Sequence, residues 1–203
     1  MRGLLFVVAG PMFAGKTSVI IDAIQTKIFL WKGMEIECNF PTIYCHSRDA
    51  ERRGATPSLT SHNETKVVER VSWLDEEKIH NLLKTEFKDY DNHIDWIFID
   101  ELQFFDKEGQ IKEFVETLLS SGINVCLAGL AQDSFGEPFG AMGHFLAVAD
   151  YVNVIQAQCS LCNRYATRTQ RLTDSEEQIL VAAEDDFAPR CHICWSKIPE
   201  GKS

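Results

Sequence analysis

The run Gly10-Pro11-Met12-Phe13-Ala14-Gly15-Lys16-Thr17 has the form G-x-x-x-x-G-K-[ST], a spacing suited to holding a chain of phosphates. Its glycines let successive backbone N–H groups turn toward an anion, and the helix expected next adds partial positive charge at its N-terminus. Lys16 then reaches the β- and γ-phosphates of a nucleoside triphosphate, and the Thr17 hydroxyl can ligate Mg²⁺. The nucleoside triphosphate and Mg²⁺ contacts expected here are Gly10, Met12, Phe13, Ala14, Gly15, Lys16, Thr17 and the following Ser18. Asp100-Glu101 closes a second apolar run, residues 96–99. A carboxylate there lies near the phosphate site, so Asp100 would hold Mg²⁺ directly or through water, while Glu101, pointing elsewhere, can accept a proton as a catalytic base.

A second chemistry sits near the C-terminus, where Cys159-x-x-Cys162 and Cys191-x-x-Cys194 are separated by 28 residues. Four thiolates in two such pairs form a closed tetrahedral Zn²⁺ site, with bonds of about 2.3 Å and no open position for water, so the metal is structural. His192, inside the second pair, is a spare ligand that the geometry does not need. Seven cysteines is an odd number, and paired C-x-x-C units fit metal ligation in a reducing compartment better than disulfides. Cys38, Cys45 and Cys126 read as small apolar residues in strands.

These groups need a scaffold. Residues 4–9 are wholly apolar and end at the glycine-rich loop, as does a strand buried on both faces of a parallel sheet. Val19, Ile20, Ala23, Ile24, Lys27 and Ile28 continue a helical spacing up to Gly33. Residues 36–45 read as extended, 47–63 as a polar loop, 66–72 as a strand and 75–88 as a helix with an acidic first turn. Residues 96–99 and 123–128 are further buried strands around a helix over 107–120, and 151–157 is extended before the texture changes at Cys159. Strands alternating with helices imply an α/β fold with a doubly wound parallel sheet joined by right-handed crossovers. The expected division is a nucleotide-binding domain over residues 1–158 and a small zinc-binding domain over 159–203.

With 203 residues, 45% hydrophobic and 25% charged, the chain has the composition of a folded protein with a sizeable core. Its net charge of -10 works against attraction to a duplex. The C-terminal segment from Cys159 carries six Lys and Arg against seven Asp and Glu, which weakens a reading of it as a nucleic-acid-binding ribbon. The apolar run 4–9 is too short for a signal sequence, and no stretch approaches the roughly 20 apolar residues that span a bilayer. A cytoplasmic protein with neither membrane nor nucleic-acid partner is expected.

Taken together, the glycine-rich loop, Asp100-Glu101-Leu102-Gln103-Phe104-Phe105, Gly129-Leu130 followed by Phe135 and Pro138-Phe139-Gly140, Cys159-x-x-Cys162 leading to Ala166, Thr169 and Arg171, and Phe187-Ala188-Pro189-Arg190-Cys191 resemble the zinc-containing P-loop thymidine kinases of animals, bacteria, poxviruses and large phages. The resemblance runs through most of the chain. It implies transfer of the ATP γ-phosphoryl to the 5′-hydroxyl of thymidine or a related 5-substituted pyrimidine deoxynucleoside, with Glu101 as the base. It also implies that Arg48 and Gln103 join the ATP and Mg²⁺ contacts. Met12 would line the pocket for the pyrimidine 5-substituent, Phe104 would stack on the base, and Leu130, Phe135 and Thr169 would wall it. A lasso around 181–187, with Val181, Ala183 and Phe187, would cover the base and be anchored by zinc. A homotetramer is implied as well.

Two departures from the family pattern stand out. Its Asp-x-Arg after the second strand is His46-Ser47-Arg48 here, and its glycine-rich, tyrosine-closed lasso has Ala182-Ala183 and Phe187. The methyl groups restrict backbone approach and a phenolic hydroxyl is missing, which points to a modified pyrimidine as substrate. The alternative is a P-loop ATPase that grips nucleic acid through its zinc module; such a motor needs a second nucleotide-contacting element and a basic track.

Overall fold

A computed structural model describes residues 1–31, 33–50, 57–60, 67–68, 71–85, 94–106, 109–173 and 186–196. In chain order the strands are β1 (Leu5–Ala9), β2 (Ile28–Trp31), β3 (Met34–Glu37), β4 (Pro41–His46), β5 (Leu59–Thr60), β6 (Val67–Val68), β7 (Ser72–Leu74), β8 (Trp96–Asp100), β9 (Asn124–Gly129), β10 (Tyr151–Val154), β11 (Ala157–Gln158), β12 (Tyr165–Ala166), β13 (Arg168–Arg171) and β14 (Phe187–Arg190). The helices are α1 (Lys16–Thr26), α2 (Glu76–Lys84), α3 (Ile111–Ser120), α4 (Met142–Val148) and α5 (His192–Trp195).

Six strands form one sheet in the order β10-β1-β9-β8-β4-β7, every pair parallel. Side chains alternate across its strands and both faces are apolar. Leu5, Val7, Ile97, Ile99, Val125 and Leu127 pack with Ile79 of α2, Phe114 and Leu118 of α3 and Phe145 of α4. Phe6, Val8, Trp96, Phe98, Cys126 and Ala128 pack with Ile20 and Ile21 of α1 on the opposite face. Helices cover both faces, so the α/β doubly wound expectation holds, and the continuous apolar runs follow from burial on two sides.

The first helix is shorter than its periodicity suggests. Lys27 adopts a left-handed conformation at φ 56° and ends α1, and the following residues enter an antiparallel hairpin with Gly33 (φ 85°) at its turn. Ile28 continues the helical spacing by coincidence. Phe29 decides the outcome, because in a strand it is buried against Phe6 and Trp96, with ring centroids 5.0 Å from each. The strand expected over 66–72 divides in two: β6 pairs with β5, whereas β7 joins the main sheet beside β4 and buries Leu74. α2 begins as expected, with the Asp75 carboxylate accepting from Lys78 N at 2.9 Å, and residues 86–88 of the expected helix lie outside the described residues. α4 was not foreseen; seven residues with Met142 and Phe145 buried show too little periodicity to stand out.

Beyond the sheet, β11 pairs with β12 and β13 with β14, and α5 follows Cys191. Among the described residues of this region the buried apolar ones are few: Ala157, Cys159, Ala166, Ala188 and Cys191.

Candidate active site

Strand register brings the motifs to one edge. Ala9 is level with Gly129, Ile99 with Leu127 and Asp100 with Cys45, so the loops after β1, β9, β8 and β4 all leave at the carboxyl ends of neighbouring strands. In the phosphate loop, Phe13 (φ 65°) and Gly15 (φ 88°) are left-handed, which turns the chain and its N–H groups. Gly15 is the N-cap of α1 without a side-chain capping bond. Lys16 Nζ donates to Pro11 O at 2.8 Å, bridging the loop, and Ser18 is half-buried in the first turn of the helix.

The Thr17 hydroxyl donates to Asp100 Oδ2 at 2.9 Å, and the other oxygen of this buried carboxylate accepts from Glu101 N at 3.0 Å. A hydroxyl and a carboxylate this close are hard oxygen donors, a set that fits Mg²⁺. Glu101 is left-handed at φ 59° and leads into the short turn Leu102–Phe104. Gln103 Nε2 donates to Glu101 Oε2 at 2.5 Å, while Gln103 Oε1 accepts from Leu130 N at 3.0 Å. Gln103, expected among the ATP and Mg²⁺ contacts, therefore has both amide atoms on Glu101 and Leu130.

Phe104 is half-buried, edge-on to Phe139 with ring centroids 6.3 Å apart and 5.7 Å from the His46 ring. His46 also packs edge-on against Phe105 at 4.4 Å, and its Nδ1 accepts from Arg48 N at 3.0 Å, so the neutral ring carries its proton on Nε2. Burial and then the Arg48 charge push the histidine down to about 4, with Asp75 and Glu101 pulling the other way. It is neutral at pH 7. The Arg48 side chain is exposed.

The C-terminal module meets the phosphate loop at Thr169, which is buried and accepts from Met12 N at 3.0 Å. Thr169 and Arg171 are the two inward residues of β13. The Arg171 guanidinium lies 5.8 Å from the rings of both Phe135 and Phe187, joining the β9–α4 loop to β14. This linking role was missed in the sequence; the alternating buried positions of a short strand were its only signal. Met12 and Leu130 are half-buried near the same edge. Val181 and Ala183, expected in the lasso, lie outside the described residues.

The sulfurs of Cys159, Cys162, Cys191 and Cys194 all lie within 4.8 Å of one another, with Cys162 3.6 Å from both Cys191 and Cys194. Ligands at about 2.3 Å around a tetrahedral ion are about 3.8 Å apart, so the donor set fits Zn²⁺. His192 is exposed and outside this cluster. Cys38, Cys45 and Cys126 are buried thiols, with Cys45 and Cys126 in strands and Cys38 in the link after β3. No helix among the described residues is long and apolar enough to cross a membrane.

Comparison with known proteins agrees with this geometry. The family model for thymidine kinase matches residues 3–195. Thymidine kinases from Mesomycoplasma hyopneumoniae strains 7448, J and 232 are each 34% identical to this chain over 194 residues, covering 96% of it and 96% of their own length. A glycine-rich loop bonded to a β8 carboxylate, with a four-cysteine module in contact with it, is thus found in a sequence matched nearly end to end, and the chain belongs to the thymidine kinase family.

Proposed function

We propose that this chain transfers the γ-phosphoryl of ATP to the 5′-hydroxyl of thymidine or a related 5-substituted pyrimidine deoxynucleoside, with Glu101 as the base. The observation that carries the reading is the Thr17–Asp100 hydrogen bond, which joins the two halves of a phosphate site beside Glu101. The 5′-oxygen attacks the γ-phosphorus as its proton passes to a Glu101 carboxylate oxygen, and the bond from that phosphorus to the β–γ bridging oxygen breaks to release ADP. Lys16 exchanges Pro11 O for phosphate oxygens and stabilises their growing charge. Thr17 and Asp100 would hold Mg²⁺, which when bound neutralises charge on the β- and γ-phosphates.

The nucleobase is assigned to Met12, Phe104, Leu130, Phe135, Thr169 and Phe187, with Val181 and Ala183 of the lasso completing the cover. Support comes from Thr169 bonding to Met12 N and from Arg171 bridging Phe135 and Phe187. Cys159, Cys162, Cys191 and Cys194 would hold structural Zn²⁺. The same reading carries a catalytic domain over 1–158, a substrate-covering domain over 159–203, a homotetramer and a cytoplasmic location. The family match leaves the nucleic-acid ATPase alternative without support.

A panel of nucleosides incubated with ATP and Mg²⁺, scored for 5′-monophosphate by mass, tests the assignment. Thymidine, deoxyuridine and 5-substituted analogues should react with kcat/KM values within roughly 10–200-fold, since one small group in an apolar pocket discriminates no more strongly. Efficient phosphorylation of deoxyadenosine or deoxyguanosine would falsify the pocket assignment.

A further inference from the structure

Gln103 is 2% exposed and lies between two parts of the site that are 29 residues apart in sequence, Glu101 and Leu130. Its orientation is not arbitrary. The Leu130 N–H can only donate, so the amide oxygen must face it, which leaves the NH₂ for the Glu101 carboxylate. The backbone around it is built for close approach. A methyl group on Gly129 would stand 2.6 Å from Gln103 Oε1, and one on Gly140 would stand 2.1 Å from Gln103 O. Glu101 itself holds a left-handed φ of 59°, uncommon for a residue with a side chain, and the turn Leu102–Phe104 that follows brings Gln103 back beside that carboxylate.

We propose that Gln103 is a positioning residue for Glu101: its amide fixes the direction of the carboxylate and is itself fixed by the end of β9. The inference rests on the reading of Glu101 as the base. A carboxylate held through Oε2 cannot turn about its last side-chain bond without breaking that bond, so its aim at the 5′-hydroxyl is set before the nucleoside arrives. One amide thereby couples the base to Leu130, a residue assigned to the nucleobase wall.

The test is phosphoryl transfer from ATP to thymidine, read as single-turnover rate and nucleoside KM, in Gln103→Ala, Gln103→Glu, Glu101→Gln and the Glu101→Gln, Gln103→Ala double variant. Gln103→Ala should slow transfer about 10- to 100-fold with little change in nucleoside KM, because misdirection of a reacting group costs rate rather than binding. Gln103→Glu keeps an acceptor for Leu130 N but replaces the donor with a second carboxylate that repels Glu101, so transfer should slow at least as much, again with little change in nucleoside KM. This variant carries the test if Gln103→Ala does not fold.

In the double variant the rate should equal that of Glu101→Gln, because the effect of Gln103 on the rate passes through the base. Transfer at the native rate in both Gln103 variants, with Glu101→Gln inactive, overturns this inference alone, as does a double variant a further tenfold slower than Glu101→Gln. Near-normal turnover in Glu101→Gln overturns the base assignment and this inference together.

Discussion

The sheet edge that carries Asp100 and Glu101 and the four-cysteine module hold their side chains by different means. At the edge, Asp100 stands at the end of a strand whose neighbours are packed on both faces by apolar side chains, and aromatic rings such as Trp96 and Phe98 stack beneath it with centroids 5.4 Å apart. Hydrophobic burial fixes that region. Among the described residues the module's buried apolar groups are three alanines and two cysteines, with Phe13, Ala14 and Cys194 packed against the cluster, little apolar surface to order its short hairpins. A metal held by the four cysteines would supply what such a core lacks. The two regions touch where Thr169 accepts from Met12 N, so the weaker one helps to shape the site of the stronger.

The largest effect should come from removing the metal. Structural zinc contributes about 10–16 kcal/mol of folding free energy in small zinc domains. Cys191→Ser, or a strong chelator, should release zinc and speed amide exchange across β11 to β14 by more than about 100-fold, while β1, β8 and β9 stay protected. Hydrogen exchange read by mass spectrometry checks both halves. Equal loss of protection in the sheet would break the comparison, and so would a module that keeps its protection without metal.

A core truncation should do the reverse. Phe98 is fully buried between Phe29 and Trp96, and Phe98→Ala should cost about 3–5 kcal/mol in chemical unfolding through the cavity it leaves. Zinc content of the folded protein, measured by elemental analysis, should stay at one equivalent per chain. A smaller effect concerns pH. His46 has a folded-state value near 4 against an ordinary 6.5, so the fold favours its neutral form. The unfolded chain binds the proton more readily, so this contribution is fully present above about pH 6.5 and is lost as pH falls toward 4. The loss is on the order of 3 kcal/mol, and it should vanish in His46→Gln when unfolding is followed between pH 7 and pH 4. An unchanged acid slope in that variant would place the sensitivity elsewhere.

Much of the candidate site was legible in the residues because the chemistry proposed for it is local. The phosphate loop, Asp100-Glu101 and the two C-x-x-C pairs each need a few consecutive residues with the right donors and backbone freedom. Buried strands were legible because a parallel sheet covered on both faces demands unbroken apolar runs. Phe29 was not, since Ile24 and Ile28 satisfy helical spacing, and only the pocket beside Phe6 and Trp96 makes a strand the better burial. The sequence by itself determined which groups are available: a lysine and a hydroxyl for phosphates, a carboxylate pair, and four thiols. Only the tertiary structure decided how they combine. The Thr17–Asp100, Met12–Thr169 and Gln103–Leu130 bonds join residues far apart in the chain, and each exists because strand register and loop closure bring their backbones level. That register is set by the summed packing of two apolar faces, a long-range quantity that no short stretch of sequence contains.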